Sequence, residues 1–266
     1  MTRSALNTPL LAVRGLTKRY YGLTAVDGLT FSVPARSIVG LIGPNGSGKT
    51  TTIDCISGFQ RPDAGEWSLD GRRLTGLAPY RHAVAGLTRT FQAVRSYEEL
   101  TLIENLRVAA QEHDGHGWWA AFMGSEALRR AEAAAEARGR DLLSLVGLSS
   151  YADHSAAILS YGQRKLLAIA AALMPRPDLI LLDEPVAGIN PTMIRSIEGI
   201  IRRVNREGIA VLIVEHNMQF IMNLCQHVVV LEQGRKIAEG PPALVRSDPR
   251  VLAAYIGTAP ESASDG

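Results

Sequence analysis

The segment Gly43-Pro44-Asn45-Gly46-Ser47-Gly48-Lys49-Thr50 fits the spacing G-x-x-x-x-G-K-[ST], follows an apolar run and opens a helical pattern. A loop of this kind can turn backbone N–H groups inward around phosphate oxygens, where a Cβ would obstruct or strain the bend. The helix N-terminus adds partial positive charge, and Lys49 supplies a mobile ammonium for β- and γ-phosphates. Thr50 offers a hydroxyl to Mg2+, and Thr51 continues the cradle into the first helical turn. A glycine-rich turn that merely caps a helix is the alternative, and the acidic pair downstream weighs against it.

That pair closes the run Leu179-Ile180-Leu181-Leu182-Asp183-Glu184-Pro185. Asp183 is suited to hold Mg2+ through its waters, because this ion sheds them reluctantly. Glu184 then stands beside the metal without ligating it, where it could orient and deprotonate an attacking water. A solvated strand-end turn would look the same if the pair stood alone. His216 ends another apolar run, where an imidazole could hydrogen-bond a γ-phosphate and report its presence; a structural histidine is the alternative. Gln92, after Thr90-Phe91, lies in a polar break and alone carries no role. Ser160 and Gln163 form an S-x-x-Q capping box. With Gly162 between them, they also expose a second helix N-terminus able to bind an anion, which could serve a nucleotide held by another copy.

These residues need a scaffold. Ser37–Gly43, Asp178–Asp183 and Ile209–Glu215 read as buried parallel strands, each followed by a helical pattern at Gly48–Gly58, Pro191–Asn205 and Met218–Cys225. Such alternation indicates an α/β layer with a mostly parallel sheet, whose ligands bind beyond the carboxyl ends of the strands. Leu10–Arg14, Leu29–Val33 and Glu66–Leu69 suggest a small antiparallel sheet. From Glu98 to Met174 the pattern is helical almost throughout, and Ala127–Leu145 is rich in helix formers. Val228–Glu232 and Lys236–Glu239 flank Gln233-Gly234 as a hairpin. The tail from Thr258 to Gly266 reads as frayed.

Composition bounds the function. The chain has 266 residues, 46% hydrophobic and 20% charged, enough to bury a core without metals or disulfides. A net charge of +2, without a basic run, is no nucleic-acid footprint. Cys55 and Cys225 belong to no CxxC pair and read as buried thiols in a reducing compartment. The N-terminus is too weakly apolar for a signal peptide. No run approaches the roughly 18 apolar residues that span a bilayer.

Leu159-Ser160-Tyr161-Gly162-Gln163 resembles the LSGGQ signature of ATP-binding cassette (ABC) ATPases, with Tyr161 departing from the commonest pattern. With it, the resemblance runs from Leu10 to Gly257. The resemblance implies a P-loop NTPase core with a mostly parallel sheet, a small N-terminal antiparallel β subdomain and an inserted α-helical subdomain. A single ABC ATPase domain over residues 1–266 is expected. Approximately 10–97 and 175–257 would form the β subdomain and ATP-binding core, 98–174 the helical and signature subdomain, and 258–266 a tail. ATP and Mg2+ are the implied cofactors. Gln92 becomes the Q-loop residue, touching nucleotide and metal, and His216 the switch histidine. Glu184, His216 and Lys49 become the catalytic set. Asn190 takes the D-loop position where Asp is more usual. Tyr20 would stack on adenine, with Tyr21 as the alternative.

The resemblance further implies that two cassettes pair head to tail, each nucleotide lying between one phosphate loop and the partner's Ser160, Gly162 and Gln163. The second ATPase subunit could be identical or different. Membrane-spanning permease subunits, and indirectly a periplasmic solute-binding protein, would be the other partners. Nucleic acid would not be one. The site of action would be the cytoplasmic face of the bacterial inner membrane, as a peripheral subunit. Arg89-Thr90-Phe91-Gln92, Leu100–Leu106, Ala238–Pro242, Asp248–Val251 and Ala254–Gly257 look like branched-chain amino acid importers. Other cassette pathways, such as urea or amide uptake or lipopolysaccharide export, share the core motifs. A soluble P-loop kinase is the alternative from another class. Trp118-Trp119 would face the membrane partner or fill a helical core.

Overall fold

The computed structural model describes residues 9–90, 97–110 and 126–256. An N-terminal hairpin of β1 (Leu11–Tyr20) and β2 (Leu23–Val33) leads to β3 (Ile38–Ile42) and α1 (Lys49–Ile56). Then come β4 (Ala64–Leu69), β5 (Arg72–Arg73), α2 (Pro79–Val84) and β6 (Leu87–Arg89). The helical stretch supplies α3 (Leu102–Ala109), α4 (Glu126–Leu145) and α5 (Tyr161–Leu173). β7 (Leu179–Asp183), α6 (Pro191–Arg206), β8 (Ala210–Val214) and α7 (Met218–Leu224) restore the α/β alternation. β9 (His227–Glu232), β10 (Arg235–Gly240), α8 (Pro242–Ser247) and α9 (Pro249–Ile256) complete the described chain.

Six strands form the main sheet in the order β10-β9-β3-β8-β7-β6, and every pairing is parallel except β10 with β9. The apolar runs are continuous because both faces of this sheet are covered. Along each strand, alternate residues go to opposite sides. Ile38, Ile180, Leu182, Val211, Ile213, Val228 and Val230 pack with the helices in one core cluster. Val39, Leu41, Leu179, Leu181, Leu212 and Val229 pack in the other, with α1 and the second sheet. That second sheet is antiparallel, in the order β2-β1-β4-β5. This is the α/β architecture that the strand and helix patterns imply.

The antiparallel strands run further than their hydrophobic alternation suggests. Gly15 and Gly28 have positive φ (+60° and +61°), which in sequence reads as turn punctuation. Here they sit at irregularities of the β1–β2 ladder. The Gly15 N–H donates to Thr30 Oγ1 and the Gly28 N–H to Thr17 Oγ1, at 2.9 and 3.1 Å, so the strands bulge and continue. The stretch after α4 also differs from the continuous helix expected. Gly147 takes φ +75°, and the Leu148 N–H closes on the Leu143 carbonyl at 2.8 Å, a helix-ending arrangement. Two 3-10 turns, Ser149–Tyr151 and Ala156–Ile158, then bring the chain to α5. Gln92, Trp118-Trp119 and the tail from Thr258 lie outside the described residues. No described helix is long and apolar enough to cross a membrane.

Candidate functional site

Sheet register decides which loops meet. Leu41 of β3 pairs with Val214 of β8, and Val214 pairs with Asp183 of β7. The segments that follow these strands therefore emerge side by side: Gly43–Thr51, Glu184 onward, and Glu215–His216.

The phosphate loop needs its glycines for two separate reasons. At Gly43 (φ +154°) a Cβ would lie 2.1 Å from the Leu231 carbonyl oxygen, and at Gly48 (φ +97°) 2.4 Å from that of Ala25. Gly46 (φ +77°) faces open space, so only its backbone conformation demands glycine. The loop is braced from behind by the β9–β10 turn, where Gln233 and Gly234 both have positive φ. The Gly234 N–H donates to the Ser47 carbonyl at 3.1 Å, and the Gly234 carbonyl accepts from Asp27 N–H at 2.9 Å. No side chain caps the N-terminus of α1. Lys49 is 6% exposed, and its Nζ donates to the Gly43 and Pro44 carbonyls, both at 2.8 Å. Burial pushes its pKa down, opposed by the negative charges of Glu184, Asp183 and Glu215.

Asp183 is 4% exposed, and burial holds its carboxyl above the usual range despite the Arg89 guanidinium beside it. Arg89 Nη2 donates to Asp183 Oδ2 at 2.9 Å, while Nη1 donates to Asp54 Oδ1 at 2.6 Å and Ser57 Oγ at 3.1 Å. Among the described residues, Asp183 Oδ1 and Ser47 Oγ are buried with no hydrogen-bond partner. A buried anionic oxygen without a donor is costly unless a cation meets it. Thr50, at the exposed start of α1, adds a hydroxyl. By chemistry, a carboxylate and hydroxyl oxygens suit a hard divalent cation that keeps several waters.

Glu184 sits at φ +46°, unusual for a residue with a side chain. Its N–H donates to the Val214 carbonyl at 2.9 Å, and its Oε1 lies 3.6 Å from His216 Nδ1. Glu215, fully buried, accepts from the Val186 N–H at 2.9 Å, the His216 N–H at 3.0 Å and the Asn217 N–H at 3.2 Å. It therefore ties the loop after β7 to the loop after β8 and leaves the His216 side chain at the surface.

The remaining residues singled out in sequence stand apart from this cluster. Ser160 caps α5: its Oγ accepts from Gln163 N–H at 3.3 Å, and Gln163 Oε1 accepts from Ser160 N–H at 2.9 Å. Gly162 packs against Ile189, in the loop after β7, and Met193, in the first turn of α6. Asn190 caps α6 by accepting from the Met193 N–H. Tyr20 lies at the end of β1 with Lys18 Nζ 5.2 Å from its ring centroid, and Tyr21 is fully exposed. The sequence motifs assign no role to Arg89, Lys165 or Glu215. Their one signal was a charged side chain bordering or interrupting an apolar run.

Comparison with known proteins matches this geometry to one family. The ABC transporter model matches residues 26–187, and a model described as a branched-chain amino acid ATP-binding cassette transporter matches 235–261. The chain is 40% identical, over 96% of its length and all of the relative's, to the high-affinity branched-chain amino acid transport ATP-binding protein BraF of Pseudomonas aeruginosa. LivG of Escherichia coli, of the same description, is 37% identical over the same shares. Among solved structures, a nucleotide-free ATP-binding cassette from an ABC transporter superposes with a TM-score of 0.82 at 32% identity, covering 94% of this chain and all of the other. A phosphate loop, a strand-end acidic pair and a capped signature helix on this fold, with relatives matched end to end, have one reading: the chain is an ATP-hydrolysing cassette and belongs to the ABC transporter family.

Proposed function

We propose that this chain is the ATPase subunit of an importer for branched-chain or related amino acids. The observation that carries the cargo class is the separate match of residues 235–261 to the branched-chain model, since the core motifs are common to cassettes of every cargo. The catalytic unit spans 1–266, with about 10–97 and 175–257 as β subdomain and nucleotide core and 98–174 as the helical arm. It acts as a peripheral subunit on the cytoplasmic face of the inner membrane, against permease subunits and a second cassette, with a periplasmic solute-binding protein delivering cargo.

In this reading Gly43, Pro44, Asn45, Gly46, Ser47, Gly48, Lys49, Thr50 and Thr51 hold the triphosphate. Lys49 exchanges the Gly43 and Pro44 carbonyls for β- and γ-phosphate oxygens, a favourable exchange for a desolvated ammonium. Thr50, Asp183 and Gln92 would hold Mg2+, whose charge would offset that of the phosphates. Arg89 engages Asp183 Oδ2 at 2.9 Å, so Oδ1 is the oxygen that would be left for the ion or its waters. Glu184 takes the proton of the attacking water, and His216 hydrogen-bonds the γ-phosphate. Tyr20 stacks on adenine. Ser160, Gly162 and Gln163 present the α5 N-terminus to the partner's nucleotide.

The test is reconstitution of the purified complex in liposomes with its solute-binding protein. Leucine, isoleucine or valine is expected to raise ATP turnover several-fold over the unliganded binding protein, and urea is not. Stimulation by urea alone would overturn the cargo class.

A further inference from the structure

Lys165 is one of the charged side chains that the sequence motifs leave without a task. It is 5% exposed and lies in the first turns of α5, followed by the core residues Leu166 and Leu167. A lysine so buried loses hydration, and burial pushes its pKa down against the raising influence of Glu215, Glu184 and Asp183. A position required only for packing is better filled by Met or Leu. Lys165 Nζ instead donates to the backbone carbonyl of Glu184. The same carbonyl accepts from the Ala187 N–H at 3.3 Å. This is the peptide of a residue held at φ +46°, a conformation that persists only where its surroundings enforce it.

Tyr161 and Gly162 bring the start of α5 against the same loop and the first turn of α6. Lys165 Nζ lies 5.4 Å from the Tyr161 ring centroid, and the Tyr161 ring edge lies 3.4 Å from where a Cβ of Gly188 would be. Gly162 lies against Ile189 and Met193. The helix carrying Ser160 is thus latched within its own chain to the segment carrying Glu184.

We propose that Lys165 is a positioning residue for hydrolysis: its ammonium pins the Glu184 carbonyl, enforces the positive φ and so aims the Glu184 carboxylate at the attacking water. The proposal rests on the reading of Glu184 as the water-activating base. A misaimed base slows the chemical step and leaves nucleotide binding alone, because the Lys165 contact is to the peptide and not to the phosphate loop.

The experiment compares full-length Lys165→Met, Lys165→Arg and Glu184→Gln with the parent chain, in ATPase kinetics, ADP affinity and thermal midpoint. Lys165→Met is expected to lower kcat by roughly 10- to 100-fold, the scale of a misplaced catalytic group. KM and ADP affinity stay within about twofold, a split that marks loss of an effect confined to the transition state. Lys165→Arg, which keeps a cationic donor, restores most of kcat. In single-turnover assays, adding Lys165→Met to Glu184→Gln slows the residual rate no further, since there is no base left to aim. If Lys165→Met does not fold, Lys165→Gln, which retains a shorter donor, replaces it in each comparison. An unchanged kcat, a KM rise matching the loss, no recovery with Arg, or an additive loss in the Glu184→Gln background overturns the role of Lys165. If Glu184→Gln itself hydrolyses at the parental rate, it is the reading of Glu184 that fails.

Discussion

At Gly48 two demands coincide, a φ of +97° and a carbonyl oxygen 2.4 Å from where a Cβ would stand; at Gly46 only the first applies. Gly46→Ala should therefore cost about 1–2 kcal/mol, the left-handed penalty alone. Gly48→Ala must also displace the β2 backbone at Ala25, so it should cost more stability and weaken ADP binding at least about tenfold, or ~1.4 kcal/mol. Urea unfolding and calorimetric titration of both variants check this, and equal effects would contradict the steric argument. The loop was legible in sequence because its chemistry is local, eight consecutive residues between a strand and a helix. Arg89 and Lys165 were not, because their partners come from afar. Arg89 meets Asp183 across 94 residues of chain, and Lys165 meets Glu184 across 19. Spacing rules reach neighbours on one element; they do not reach a guanidinium that crosses between strand ends.

Strands and helices set where those partners meet. β7 and β8 end in register, so Glu215 at the end of one can accept N–H groups from the loops after both. Glu215→Ala leaves three of these donors without their acceptor. At about 1–3 kcal/mol for the buried Val186 donor left unsatisfied, and less for the two part-buried ones, the variant should lose about 2 kcal/mol or more. The readout is the urea midpoint, and a loss below 1 kcal/mol would show that water replaces the carboxylate. The parallel strands were legible because unbroken apolar runs need two covered faces. The antiparallel strands were only half legible. Gly15 and Gly28 carry the same signal whether the chain turns or bulges, and only pairing with Thr30 and Thr17 decides between them. The helical arm was legible in α4, while Gly147 and the turns after it interrupt a composition that reads as helix.

Among the described residues the molecule holds two core clusters divided by one sheet, with both thiols and a phenol inside. Burial pushes Cys55 and Cys225 from the ordinary 9.0 up to about 12, and Tyr255 from 10.0 up to about 12. A raised folded pKa means that the unfolded chain releases these protons first. The stability contribution is full below pH 9 and is lost as pH rises from 9 through 12. Because the lowered pKa of Lys49 and Lys165 acts in the opposite direction, the test is a difference. Between pH 8 and 10.5 the urea midpoint should fall further in the parent chain than in a Cys55→Ala/Cys225→Ala variant, and parallel profiles would contradict the burial of these thiols. The same two-layer design brings nucleotide loop, acidic pair and histidine to one edge, which is the central claim. Single-turnover hydrolysis by Glu184→Gln tests it most directly, with ATP binding measured on the same preparation. The account predicts parental ATP affinity, an ATP-dependent dimer and hydrolysis slowed by roughly 10²- to 10⁴-fold, the range for loss of a general base. Hydrolysis at an undiminished rate would contradict it.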